Sequence, residues 1–142
     1  MKDIIKERIL VLDGALGTMI QQYGLTEADF RGEEFKYHPV KLEGNNDILV
    51  LTRPDIISNI HRQYLEAGAD IIETCTFNSQ AISQTEYQTT DFVYRINLEA
   101  ARLARQEADR MTALTPDKPR FVAGSVGPTA KMTSLSPDVE NP

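Results

Sequence analysis

Three short apolar runs recur along the chain, each followed by a turn of small or polar residues. Ile9-Leu10-Val11-Leu12 runs into Asp13-Gly14-Ala15-Leu16-Gly17-Thr18. Ala69-Asp70-Ile71-Ile72-Glu73-Thr74 runs into Cys75-Thr76-Phe77-Asn78-Ser79, and Phe121-Val122-Ala123-Gly124-Ser125-Val126 meets Gly127-Pro128. Continuous rather than alternating apolar runs predict strands buried on both faces. Between them the period changes to that of a helix. Ile56, Ile57, Ile60, Tyr64 and Leu65 share one face, Pro54 suits a first turn, Thr52 and Asp55 resemble a capping box, and Gly68 is placed for a left-handed cap. Phe92, Val93, Ile96, Ala100, Leu103 and Ala104 form the inner face of a longer helix over 91–111. Glu99 with Arg102 and Arg105 with Asp109 make i,i+3 and i,i+4 pairs on its wet side.

Residues 24 to 47 follow neither period. Charged side chains alternate irregularly with Phe30, Phe35, Tyr37, Val40 and Leu42, and Gly32, Pro39 and Gly44 punctuate them. This predicts a long ordered loop with anchoring aromatics, a feature uncommon unless functional. Residues 129–142 read as a polar loop. Strand, helix, strand, helix, strand is the order of parallel βα units. A complete eight-stranded barrel needs about 250 residues, and this chain has 142. The expected fold class is therefore α/β: the first βα units, about three strands, of an incomplete (β/α)8 TIM barrel.

Composition removes several alternatives. Fifteen Lys and Arg against 21 Asp and Glu give a net charge of −6, which disfavours a nucleic-acid partner. No apolar run approaches the ~18 residues of a membrane helix, and the charged start of the chain lacks a signal-peptide core. A single cysteine excludes an internal disulfide and suits a reducing, cytoplasmic setting.

In parallel α/β folds, function gathers at the C-terminal ends of the strands. Asp13 with the turn Gly14, Ala15, Leu16 and Gly17 combines a carboxylate, for a cation, with close-approaching amides, for an anion. That pairing suits the two charged ends of an amino acid; it equally suits a tight strand–helix turn capped by Asp13. Glu73 within an apolar run is either an amine-holding carboxylate or half of a structural ion pair. Cys75 has no second cysteine and no histidine at a ligand-like spacing, and reads as a small core or near-site residue. His61, inside a charged helix, is expected at the surface, and His38 carries no assigned role.

The run Leu12-Asp13-Gly14-Ala15-Leu16-Gly17-Thr18-Met19-Ile20-Gln21 resembles the opening of the homocysteine S-methyltransferase domain. Ala28-Asp29-Phe30-Arg31-Gly32-Glu33 and Lys41-Leu42-Glu43-Gly44-Asn45-Asn46-Asp47 are similar to the cobalamin-dependent methionine synthases in particular. The stretches 67–74, 122–128 and 134–139 agree in order and spacing. The resemblance implies a barrel that binds zinc and homocysteine, zinc holding the thiolate that attacks the methyl group of methylcobalamin to give methionine.

Carried onto this chain, the resemblance places Asp13, Gly14, Ala15 and Leu16 at the amino-acid end of homocysteine, with Glu73 holding the amine or lining that pocket. Cys75 departs from the asparagine that most members carry. The family's zinc-binding cysteines and its folate and cobalamin domains lie outside this stretch. It therefore assigns no catalytic or metal-ligating residue here, and leaves zinc and cobalamin to the parent enzyme. The partners implied are homocysteine, the remaining barrel and the folate and cobalamin domains. The chain's ending in a loop is what an excised or truncated piece would show, and the isolated chain is expected to be inactive and marginally stable or self-associating. Another methyl donor, betaine or S-methylmethionine, is the alternative that the segment 27–47 argues against. A non-catalytic small-molecule-binding module is the alternative from another class.

Overall fold

The computed structural model describes Met1 and residues 3–129; the motif at 134–139 and most of the expected C-terminal loop lie outside the described residues. The elements in order are α1 (Ile4–Glu7), α2 (Leu16–Gln21), α3 (Glu27–Arg31), α4 (Leu49–Thr52), α5 (Pro54–Glu66), β1 (Ile71–Glu73), α6 (Ala81–Gln84), α7 (Val93–Leu114) and β2 (Phe121–Ala123). β1 and β2 pair in parallel, Ile71 opposite Phe121 and Glu73 opposite Ala123. None of the described helices is long and apolar enough to cross a membrane.

The first expected strand is reduced to a single parallel bridge, Leu12 to Ile71. The ladder starts normally: Ile71 N donates to Val11 O at 3.1 Å and Asp13 N to Ile71 O at 2.9 Å. It stops because the next donor, Glu73 N, is taken by the Asp13 side chain, Oδ2, at 3.0 Å. The expectation of burial on both faces also fails for this segment. Ile9 is 88% exposed and Val11 54%, while α5 and α7 pack against β1. Ile72, fully buried, faces the helical side with Leu65, Ala104, Ala108 and Met111.

The foot of this segment is held by charge. Asp70, 1% exposed, takes both Arg8 guanidinium nitrogens, at 2.9 and 2.7 Å, and the Val11 amide at 2.9 Å. These bonds, Arg8 first, hold its carboxyl well below the usual range, with Lys118 adding to them.

α5 starts with Pro54 at its first position, and its capping residue is Arg53. The expected Thr52–Asp55 capping box is absent: Thr52 closes α4, and Asp55 pairs with Arg53 at 2.9 Å. A capping box does form at α3, between Thr26 and Asp29. α5 ends as expected on Gly68, φ +110°. Ala69 N bonds Tyr64 O at 3.0 Å and Gly68 N bonds Leu65 O at 3.1 Å, the paired C-terminal motif that glycine permits.

His61 is not at the surface; it is fully buried. Ile57, His61 and Leu65 stand at i, i+4 and i+8, one line along a helix, and all three are at most 1% exposed. Burial lowers the His61 pKa to about 4, against the opposing pull of Glu107, and neither ring nitrogen has a partner among the described residues. α7 carries the two expected ion pairs, Arg102–Glu99 at 2.6 Å and Arg105–Asp109 at 2.7 Å.

The segment 24–47 is folded rather than loose. Glu27 accepts from the amides of Leu42 and Glu43 and pairs with Arg31, whose guanidinium in turn reaches the carbonyls of Phe35, His38 and Val40. Phe30, Phe35 and Leu42 are buried, Phe35 edge-on to Phe92 at 4.9 Å, while Tyr37 stays in water. This packs the segment against α4 and the start of α7, beside the site described next.

Candidate functional site

The turn after Leu12, the end of β1 and the end of β2 meet at one edge of the molecule. Between them is a cavity of about 380 Å³ lined by Asp13 to Gly17, Asn46, Asp47, Glu73, Thr74, Cys75, Phe77, Asn78 and Ser125. All five residues singled out in the sequence, Asp13, Gly14, Ala15, Leu16 and Glu73, line it.

Asp13 is held by one oxygen and free at the other. Its Oδ2 accepts from the Glu73 amide, while its Oδ1 is buried without a partner among the described residues. Burial first, with the Glu73 carboxylate adding to it, pushes the Asp13 pKa up to about 6, although backbone amides pull the other way. A half-buried carboxylate in this state gains from any cation brought close to it. The turn beside it presents amides: no described carbonyl accepts from Gly14, Ala15 or Leu16. A Cβ at Gly14 would lie 3.2 Å from the Tyr64 hydroxyl and 3.3 Å from its ring, so Tyr64 would have to give by a few tenths of an ångström. Tyr64, from α5, thus supports the turn from beneath.

The opposite wall was not foreseen in the sequence. Asp47 is 4% exposed and accepts from Asn78 N at 2.7 Å and Ser79 Oγ at 2.8 Å. Burial raises its pKa. Asn45 and Gln84 exchange side-chain amide bonds at 2.9 and 3.2 Å, and Gln84 also bonds the Asn78 carbonyl. The segment 44–48 therefore clamps the loop after β1. The Gly44-Asn45-Asn46-Asp47 run was legible as a motif, but nothing local in it shows what it touches. Cys75 is a buried wall residue whose thiol donates to Asn46 O at 3.5 Å; burial, with Asp47 adding, pushes its pKa well up.

β1 and β2 separate beyond Glu73 and Ala123, and threonine hydroxyls bridge the gap. Ser125 N donates to Thr74 Oγ1 at 3.0 Å, Thr76 Oγ1 to Ser125 O at 2.8 Å, and Gly127 N to Phe77 O at 2.8 Å. The seam keeps the two loops side by side at the rim.

A family model described as homocysteine S-methyltransferase matches residues 10–141. The chain belongs to the homocysteine S-methyltransferase family. Its fold is similar to that of the homocysteine methyltransferase MmuM from Escherichia coli. The metallated form of that protein matches with a TM-score of 0.67 at 22% identity, over 89% of this chain and 40% of that one. The oxidized form matches with a TM-score of 0.65 at 23% identity, over 87% and 39%. The chain thus spans about two fifths of the length of these homocysteine methyltransferases. The α/β arrangement with parallel strands is compatible with an incomplete barrel; of the three expected strands, the first is represented by the Leu12 bridge.

Proposed function

We propose that the cavity binds homocysteine by its amino-acid end, as the N-terminal portion of a homocysteine methyltransferase. The observation that carries this is the unpartnered Oδ1 of Asp13, beside Glu73 and next to turn amides that no described carbonyl takes up. The substrate's ammonium would sit at the carboxylates and its carboxylate at the turn, leaving the thiol arm to run out across the cavity. The family membership supports homocysteine as the ligand, and the similar E. coli protein carries that activity in its name.

The finer reading is a cobalamin-dependent methionine synthase. It is supported by the resemblance that the runs 28–33 and 41–47 carry; Asn46 and Asp47 of the second run line the cavity. Zinc does not fit the described residues: no three His, Cys, Asp or Glu side chains among them converge on one point. Zinc and cobalamin chemistry belongs, in this reading, to other parts of a longer chain. The share of this stretch is to bind and orient the amino-acid head and to shield it from water.

Calorimetric titration with L-homocysteine tests the binding. Two analogues complete it: 4-mercaptobutyrate, which lacks the amine, and 3-mercaptopropylamine, which lacks the carboxylate. Homocysteine should bind and both analogues should fail; an amine-free analogue that binds equally well overturns the role of Asp13 and Glu73. Methyl transfer by the parent enzyme from methylcobalamin, but not from S-methylmethionine or betaine, is the outcome the finer reading requires.

A further inference from the structure

We propose that Phe77 determines the pocket's selectivity for the sulfur-bearing arm of its ligand, and that Gly127 holds Phe77 in place for that task. The inference rests on the amino-acid reading above and concerns the end of the ligand that reading leaves open.

Phe77 is the one aromatic ring among the lining residues, and it is 53% exposed. A ring so exposed is ordinarily free to swing. This one is pinned at its own backbone and at its edge. Its carbonyl accepts from Gly127 N at 2.8 Å, within the seam made by Thr74, Thr76 and Ser125. A Cβ at Gly127 would lie only 2.6 Å from ring atoms Cδ1 and Cε1 and from the Phe77 carbonyl oxygen. Real Cβ atoms do not approach that closely, so the glycine is what lets the loop and the ring occupy this position. The geometry thus fixes an apolar surface at the rim, in a cavity whose other side is carboxylate and amide.

A zwitterionic head at Asp13 and Glu73 puts two methylenes and a sulfur between that head and the rim. Sulfur against an aromatic ring is a favourable contact, and covering the ring removes apolar area from water. Homoserine has the same head and arm with a hydroxyl in place of the thiol. The Phe77 ring offers that hydroxyl no hydrogen-bond partner, so the contact favours the thiol.

The test measures dissociation constants of L-homocysteine, L-methionine and L-homoserine by ligand-observed NMR, for the wild-type chain and for Phe77→Ala, Phe77→Leu, Gly127→Ala and Asp13→Asn. The wild type should prefer homocysteine to homoserine by roughly tenfold, the scale of a change of one group in an apolar pocket. Phe77→Ala should weaken homocysteine and methionine by about tenfold and homoserine by under about threefold, collapsing the preference. Phe77→Leu should recover part of it. Gly127→Ala keeps the ring but displaces it, and should act in the same direction as Phe77→Ala. Asp13→Asn should weaken all three ligands together.

A homocysteine-to-homoserine ratio unchanged in Phe77→Ala overturns the inference and leaves the head-group reading standing. A wild type that binds none of the three ligands overturns both. The ring is exposed, so Phe77→Ala is expected to fold, and the Phe77 variants decide the matter even if Gly127→Ala does not fold.

Discussion

Replacing Asp13 by asparagine should make the protein more stable and disable its site. Asp13 is a half-buried carboxylate with one oxygen unpartnered, beside a second carboxylate, and its pKa is pushed up to about 6. Against an ordinary aspartate value near 3.9, each unit is about 1.4 kcal/mol, so the ceiling on its cost at pH 7 is about 3 kcal/mol. Water reaches part of this side chain, and screening reduces the expected cost to about 1–1.5 kcal/mol. The sign follows from the raised pKa. Between pH 4 and 6 the folded state binds more protons than the unfolded one, so wild-type stability falls as pH rises through that window and is level above it. The asparagine side chain keeps an oxygen for the Glu73 amide and carries no charge.

Thermal melts followed by circular dichroism should therefore show the variant and the wild type coinciding near pH 4. At pH 7 the variant should melt roughly 4–6 °C higher. Homocysteine binding should move the other way. Loss of a charge-assisted bond to the ammonium should weaken it by roughly 10- to 100-fold, equivalent to about 1.5–3 kcal/mol. In the wild type near pH 5.5, the arriving ammonium should drive a proton off Asp13, visible in calorimetry as a binding enthalpy that depends on the buffer. A variant that melts below the wild type at pH 7, or binds homocysteine as tightly, refutes the reasoning. It would mean that Asp13 is a structural cap and nothing more.

Asp70→Asn should act oppositely. It keeps an acceptor but breaks the two-pronged bond to Arg8, and should cost about 2 kcal/mol, read as a melt lowered by several degrees. Because the folded Asp70 carboxyl is held below its ordinary value, its contribution is present above about pH 4 and is lost as pH falls further; the variant should show less of that acid sensitivity. His61→Leu should stabilise the fold by about 1–2 kcal/mol by removing two unpartnered buried nitrogens, checked by urea unfolding at pH 7. The His61 pKa is lowered to about 4 from 6.5, so wild-type stability should be lost as pH falls from about 6.5 toward 4, and the Leu variant should lack that slope.

How far the site could be read in advance depended on how local its parts are. Asp13, Gly14, Ala15, Leu16 and Glu73 lie at strand ends, where parallel topology concentrates chemistry, and they do line one cavity. Phe77 and Ser125 lie within the loops of the same strand ends, but Ser125 is tied through the Thr74 and Thr76 hydroxyls and Phe77 through a backbone bond from Gly127, contacts that no periodicity announces. Asp47 reaches its partners at Asn78 and Ser79 across some thirty residues of chain, a contact that packing alone creates.

By itself the sequence determined the two long helices and their inner faces, the strands β1 and β2 beside them, the Gly68 terminus of α5 and the family, because these rest on near-neighbour spacing and on local motifs. Tertiary structure decided the rest. The first strand shrank to one bridge because a side-chain carboxylate captured the next ladder amide. His61 lies inside because it shares a line of α5 with the buried Ile57 and Leu65, a placement that its charged neighbours in sequence obscure. The orphaned Asp13 oxygen became a site feature because burial and a second carboxylate came together there, and both are properties of the assembled fold.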